Sequence, residues 1–238
     1  MKKRLYSVNI TDNYSSLGPH SVATRVAHKA RLTMFSMFMD EFKPTENALV
    51  LDVGVTSDKD YSTSNYFEAL YPHKKSIVCC GFEDASFLEK KYPGLRFIRA
   101  NGLALPFRDQ SFDYVHSSAV IEHVGSLTNQ INLIRECARI SRRGFCITTP
   151  NRWFPIEFHT GLPLIHWLPK WMGRWLYSCL GYDFYSKEKN LNLMSENNLM
   201  KITHELPHFQ YRLCCYRLLG WKSNLVLFGH RQKKEVNN

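Results

Sequence analysis

Leu51-Asp52-Val53-Gly54-Val55-Thr56-Ser57-Asp58 is the stretch on which the fold turns. The run that leads into it, Ala48 to Val53, is apolar and of strand length, and a carboxylate and a glycine leave it together to open a loop. Gly54 carries no Cβ, so backbone there can come close to a ligand. An apolar strand that ends in an acidic residue and a glycine is common, and its meaning depends on its surroundings.

Outward from that point, strand-length apolar runs alternate with helical patterns. Ala48 to Val53 is followed by a helix near Asn65 to Tyr71, a strand over Ile77 to Phe82 and a helix from Ala85 to Lys91. Strands follow at Leu95 to Arg99, Phe112 to His116 and Phe145 to Thr149, with a helix from Leu127 to Ile140 between the last two. Strand–helix alternation requires crossover connections and therefore a parallel sheet. Beyond Ser195 to His204, read as a helix, Tyr211 to Tyr216 and Asn224 to Phe228 are separated by Gly220 and are expected to pair antiparallel. The expected fold is α/β: a Rossmann-like doubly wound sheet, mostly parallel with an antiparallel C-terminal strand, and helices on both faces.

Upstream, Val22, Val26, Ala30, Met34 and Phe38 repeat at a spacing near four, which predicts an N-terminal helix over residues 21–42, ended by Pro44. The segment over residues 151–183 breaks the alternation and is too rich in Pro, Trp and Phe for an ordinary surface loop. It is expected to be a lid or substrate wall within a single domain spanning 1–238. Inside it, Lys170, Arg174 and Ser178 recur every fourth residue among Trp171, Met172, Trp175, Leu176, Cys179 and Leu180. That pattern predicts an amphipathic helix over 169–180 with a basic stripe, suited either to capping the sheet or to peripheral contact with an anionic membrane.

With 238 residues and 44% hydrophobic side chains, the chain is long enough for one sizeable core. No run reaches the roughly 18 uncharged apolar residues of a membrane span, and Met1-Lys2-Lys3-Arg4 leads into Tyr6, Asn9, Thr11 and Asp12 instead of an apolar signal core. A cytoplasmic location is expected. The cysteines include no C-x-x-C pair, so they are read as reduced, mostly buried thiols, and no metal site is expected. The net charge of +10 raises the question of nucleic acid, but the basic clusters Lys2-Lys3-Arg4, Lys74-Lys75, Lys90-Lys91, Arg142-Arg143 and Arg231 to Lys234 are scattered, which describes a solvated basic surface.

The second strand ends Cys80-Gly81-Phe82-Glu83. The third runs into Ala100-Asn101-Gly102-Leu103-Ala104-Leu105-Pro106-Phe107, Ser111-Phe112-Asp113-Tyr114-Val115 opens the fourth, and Val120-Ile121-Glu122-His123-Val124 follows it. In this order the motifs resemble those of the class I S-adenosylmethionine-dependent methyltransferases of the small-molecule type. That family has an acidic-glycine loop, a ribose-binding acid, a D-A-x-x-L-P-F box, an S-F-D-x-V strand and a V-L-E-H-V helix entry. The resemblance covers roughly Ala48 to Asn151. It implies that S-adenosylmethionine is the cofactor, with Asp52, Gly54 and Thr56 at its amino-acid end, Glu83 at the ribose, Asn101 and Gly102 at the adenine, and Ser118 lining the cofactor side of the active site. The sequence departs from the family in two places: the loop keeps only its first glycine, with Thr56 and Asp58 at the later glycine positions, and Asn101 stands where the family has Asp. The hydroxyls of Thr56 and Ser57 can still donate to a carboxylate, and an Asn carbonyl can still accept from an adenine amino group.

Methyl transfer from a sulfonium is an in-line displacement that needs positioning, and a base only when the acceptor is protonated. Candidate groups are His123 after the fourth strand and Glu157, His159 and His166 after the fifth, with His159 the leading candidate. His166 and His123 are as readily explained as rings bonded to backbone. The expected acceptor is a small molecule, an oxygen of a sugar-like, lipid-linked or secondary metabolite. Exocyclic amine methylation of nucleic acid is disfavoured by Ser117-Ser118-Ala119-Val120, which lacks a Pro-Pro-aromatic sequence. The alternatives are a methyltransferase-like binding or regulatory protein without turnover, motivated by Thr56, Asp58 and Asn101, and an RNA methyltransferase, motivated by the charge. A nicotinamide enzyme ranks last, because the G-x-G-x-x-G turn is missing after the first strand.

Overall fold

The run leading into Gly54 is the middle of a seven-stranded sheet in the computed structural model of the chain, which describes residues 22–59 and 64–232. In chain order the strands are β1 (Val50–Val53), β2 (Ile77–Gly81), β3 (Arg96–Arg99), β4 (Phe112–Ser118), β5 (Ser141–Pro150), β6 (Phe209–Leu218) and β7 (Trp221–Arg231). Across the sheet they are arranged β3-β2-β1-β4-β5-β7-β6. The first five pair in parallel, and β7 lies antiparallel to both β5 and β6. The order reverses beside β1, where β2 leaves to one side and β4 to the other, and this is where open α/β sheets bind ligands at their carboxyl ends.

Alternate residues of each central strand face opposite cores, as a period of two requires. Leu51 and Val53 of β1, Phe145 and Ile147 of β5, and Leu225 and Leu227 of β7 face one core. There they meet α4 (Leu127–Ile140) through Leu133, Ile134 and Cys137, and α6 (Glu196–Thr203) through Leu199 and Ile202. Val50, Cys146, Val226 and Phe228 face the other core, against α1 (Val22–Phe42), α2 (Tyr66–Leu70) and α3 (Phe87–Lys91). On α1 the buried apolar residues are Ala30, Met34 and Phe38 of the four-residue repeat, continued by Phe42, while Val26 is half-buried; Phe38 is wholly buried. Burying each such Phe or Leu contributes roughly 1.5–3 kcal/mol. The start of this helix at Ser21, the leader before it, and the basic residues Lys233 and Lys234 lie outside the described residues.

Several elements outrun their sequence signals. β5 follows α4 directly at Ser141, and the C-terminal hairpin extends well past Tyr211–Tyr216 and Asn224–Phe228. The added length carries Arg142 and Arg143, which stand at a register shift beside β4, and Arg217 and Lys222, which are paired across the hairpin; these charged positions interrupt the apolar signal. Leu219 and Gly220, both with positive φ, form the two-residue turn of that hairpin. The segment after β5 contains α5 (Lys170–Cys179), and here the sequence reading needs correction. The helix buries Gly173 and Tyr177, while its basic residues turn back onto the protein: Lys170 donates to Asn192 at 2.7 Å and Arg174 lies 3.5 Å from Glu188. Its large apolar side chains Trp171 and Trp175 are left open, at 73% and 62% exposure. No helix among the described residues is long and apolar enough to cross a membrane. None of the cysteines is disulfide-bonded; Cys79, Cys80, Cys137 and Cys146 are buried and Cys179 is exposed.

Candidate active site

The carboxyl ends of β1 to β4 open into a cavity of about 480 Å³, within the range of small-molecule sites. Asp52, Gly54, Thr56, Glu83, Asn101, Gly102, Ser118, His123 and His159 all line it. Glu157 stands behind His159 and does not line the cavity. Arg31 of α1 and Tyr66, Phe67 and Glu68 at α2 close the remaining side.

The loop after β1 replaces the missing glycines with a side-chain brace. Thr56 N donates to Asn65 Oδ1 at 2.9 Å and Asn65 Nδ2 returns a bond to Thr56 O at 3.0 Å, while Ser64 donates to Asp58. Gly54 sits at φ +106°, and a Cβ there would come within 2.1 Å of Val120. The packing of β4's exit therefore demands the glycine as much as any ligand does. Gly81 is constrained in the same way, since a Cβ would lie 2.3 Å from the backbone oxygen of Val55. Ser57 donates to Glu83 across the cavity, tying the ends of β1 and β2 together. The Thr56 hydroxyl is buried with no partner among the described residues. Asn101 Oδ1 accepts from Leu103 N at 3.0 Å, so part of its acceptor capacity holds its own turn. Ser118 shares a hydrogen bond of 2.7 Å with Thr148.

Asp52 belongs to a buried polar group that the linear motif does not reveal. His116 Nδ1 is bonded to Asp52 Oδ1, His116 Nε2 lies 3.3 Å from Tyr66 Oη, and the carboxyl of Glu68 is wholly buried beside them. Burial drives Asp52 up to about 7 and Glu68 well above the usual carboxyl range, and it pushes His116 down to about 3. Neutral His116 donates from Nδ1 to Asp52 and Tyr66 donates to His116 Nε2, while neither oxygen of the Glu68 carboxyl has a hydrogen-bond partner among the described residues, so Glu68 keeps its proton.

A second polar group occupies the corner under the exit of β4. Glu157 Oε1 accepts from His159 N at 2.9 Å and from Nδ1 at 2.6 Å, and Oε2 accepts from Thr160 N at 2.7 Å and Thr160 Oγ1 at 2.8 Å. Burial alone would raise Glu157, but the charge and hydrogen bonds of His159 and the Thr160 bond hold it at about 2. Burial likewise disfavours the charged form of His159, and Glu157 outweighs it, so His159 is raised. The ring of His123 stands 4.7 Å from that of His159, edge to face. Its Nδ1 is 2.7 Å from Asn190 O, and burial pushes it down to about 3. Glu122, wholly buried, accepts from Thr149 at 2.9 Å through Oε2. His166 lies outside this corner, bonded through Nε2 to Phe154 O at 2.7 Å. Sequence reading passed over Tyr66, Glu68, His116 and Glu122. The only trace of Glu122 was its place in the Glu122-His123 pair.

Residues 63–147 match the family model described as a methyltransferase domain. The fold is that of the class I methyltransferases. The chain is 39% identical over 82 residues to a probable S-adenosylmethionine-dependent methyltransferase of Mycobacterium tuberculosis, found in two strains; the match covers 33% of this chain. It spans only 29% of those relatives' length. Among solved structures, a protein from Pyrococcus horikoshii OT3 is similar with a TM-score of 0.59, at 13% identity over 93% of this chain and 99% of that one. Magnesium protoporphyrin IX methyltransferase from Synechocystis PCC 6803, with bound S-adenosylhomocysteine, is similar at a TM-score of 0.56 and 15% identity, covering 93% of this chain and 92% of that one. A 1,6-didemethyltoxoflavin-N1-methyltransferase from Burkholderia thailandensis reaches a TM-score of 0.54 at 13% identity, over 90% of this chain and 80% of that one. At these identities the likeness is one of fold.

Proposed function

We propose that this chain transfers a methyl group from S-adenosylmethionine to an oxygen of a small-molecule acceptor. The observation that carries the reading is a single cavity with two unlike ends. One holds Gly54, Thr56 and Glu83 at the exits of β1 and β2, and the other holds His159, backed by Glu157, under the exit of β4.

The first end suits the cofactor. The buried Thr56 hydroxyl, which has no partner among the described residues, is a donor for the carboxylate, and Glu83, steadied by Ser57, accepts from the ribose hydroxyls. Phe82, 65% exposed yet lining the cavity, offers a flat apolar wall for the adenine beside Asn101 and Gly102. Asp52 contributes through the charge of its buried group, because His116 already holds its carboxylate. Bound there, S-adenosylmethionine supplies a methyl group on a positively charged sulfur.

At the other end, Glu157 fixes the tautomer of His159 through Nδ1, which leaves Nε2 as the atom that takes the acceptor's proton. His159 does this only when unprotonated, and its raised pKa places that form on the alkaline side of an ordinary histidine.

A lipid-linked acceptor is the version we favour. Trp153, Trp167 and Trp221 form a chain of ring contacts at 6.2 and 6.4 Å, and Leu219 at the adjoining hairpin turn is 92% exposed. Arg217 and Lys222 flank that turn, and Arg152 lies over Trp153. Exposed tryptophans with basic neighbours suit the interface of an anionic bilayer, to which Trp171 and Trp175 of α5 add further apolar surface.

Calorimetric titration with S-adenosylmethionine and S-adenosylhomocysteine tests the first part. Micromolar binding, roughly −8 kcal/mol, that is lost in Glu83→Ala supports it, and absence of binding by the wild-type protein overturns it.

A further inference from the structure

The corner around His159 contains more ligating groups than proton transfer needs. Glu122 and His123 come from the short turn Ile121–His123 after β4, His159 comes from the segment after β5, and one ligating atom from each lies within 4.8 Å of the others. We propose that Glu122, His123 and His159 bind a divalent transition-metal ion.

Three features point the same way. The carboxylate of Glu122 is wholly buried, and while Oε2 accepts from Thr149, Oε1 has no partner among the described residues and lies 4.0 Å from His123 Nε2. A buried carboxylate oxygen left in this way is costly unless a cation or a proton meets it. Secondly, both histidines are already oriented as ligands are: His123 donates its Nδ1 proton to Asn190 O at 2.7 Å and His159 has Nδ1 on Glu157 Oε1 at 2.6 Å, so coordination falls to Nε2 in each ring. Thirdly, the spacing fits. Ligands about 2.0–2.2 Å from one ion stand about 3–4 Å apart, so from a spread of 4.8 Å the side chains need close by about 1–2 Å.

The donor set selects the ion. Two imidazoles and one carboxylate suit zinc, manganese, iron or cobalt, whereas magnesium and calcium prefer oxygen ligands. Two buried carboxylates, Glu122 and Glu157, supply the negative field that offsets the cation's charge. Cysteine spacing led to the expectation of no metal site; histidines brought together by the fold supply these ligands instead. With the ion bound, His159 Nε2 is a ligand and no longer the base; three protein ligands leave positions open toward the cavity, where an acceptor oxygen can bind and lose its proton to solvent more easily. That use of the ion rests on the methyl-transfer reading, but its binding does not.

The test is titration of the chelator-stripped, tag-free full chain with Co²⁺, followed by calorimetry and visible absorption, with S-adenosylmethionine binding measured on the same samples. We expect one saturable equivalent in the wild-type protein. Glu122→Gln, which keeps the shape and the Thr149 bond, and His159→Asn should each weaken it at least tenfold, with thermal melting confirming that both are folded. Equal affinity in both variants, or no saturable binding by the wild type, overturns the metal site. If S-adenosylmethionine binds and Co²⁺ does not, the metal site falls and the methyltransferase reading stands. If Co²⁺ binds and S-adenosylmethionine does not, the metal site stands and the methyltransferase reading falls.

Discussion

Glu157 Oε1 lies 2.6 Å from His159 Nδ1, and the carboxylate has no exposed side-chain surface. The pair holds His159, which lines the cavity, with its Nδ1 on the carboxylate. In chelator-treated protein, histidine titration by NMR should place His159 above the ordinary 6.5, and Glu157→Gln should bring it down, because the substitution removes the charge that favours imidazolium. The linkage follows from the two directions. His159, raised, contributes stability that is present below 6.5 and lost as pH climbs through its folded value; Glu157, depressed to about 2, contributes stability that is present above 4.5 and lost as pH falls toward 2. The pair's contribution is therefore greatest between pH 4.5 and 6.5, which melting of the wild type against Glu157→Gln across pH will check.

Methyl transfer should respond to the same pair. With a suitable acceptor, His159→Asn is expected to lower kcat by roughly 10²–10⁴-fold, while affinity for S-adenosylhomocysteine changes little. Equal losses in kcat and in cofactor affinity would mean that His159 shapes the cavity without handling a proton.

Glu68 offers a stability prediction. Its carboxyl is wholly buried and its pKa is raised well above 4.5, so it contributes stability below that value that is lost as pH rises through its folded value. Glu68→Gln imitates the protonated acid and cannot ionise. Above neutral pH it should match or exceed the wild type, by about 1–2 kcal/mol at most, as read by denaturant melts at pH 6 and 9.

Gly54→Ala combines a strained φ of +106° with a Cβ placed 2.1 Å from Val120. A loss of about 1–3 kcal/mol in stability is expected, along with weaker cofactor binding. Adding Val120→Ala should recover part of it, since that change removes the collision and leaves the backbone strain.

For the aromatic surface, cosedimentation with anionic phospholipid vesicles should fall when Leu219 and Trp221 are both changed to Ala, and should fall further at high salt. Binding to neutral and anionic vesicles alike, or to neither, would count against the bilayer reading.

Local pattern determined much of this protein. The apolar periods of two and near four set the strands, α1 and α4, because burial of one face leaves its mark residue by residue. The ends of β1, β2 and β3 were legible for the same reason: the cavity-lining residues Gly54, Glu83 and Asn101 sit just past the strand ends, so position in the chain gives position at the sheet edge. The extra length of β5, β6 and β7 was not legible, since Arg142 and Arg143 sit at an irregularity beside β4 and Arg217 and Lys222 are paired in the hairpin while their side chains carry charge. The orientation of α5 was hidden because Lys170 and Arg174 find acceptors in Asn192 and Glu188, which only the folded chain brings near. The polar groups at Asp52 and His159 belong to the tertiary structure as well. Each joins residues from separate elements, His116 and Glu68 in one case and Glu122 and His123 in the other, and their shared protons and charge come from burial together, a property that no single segment possesses.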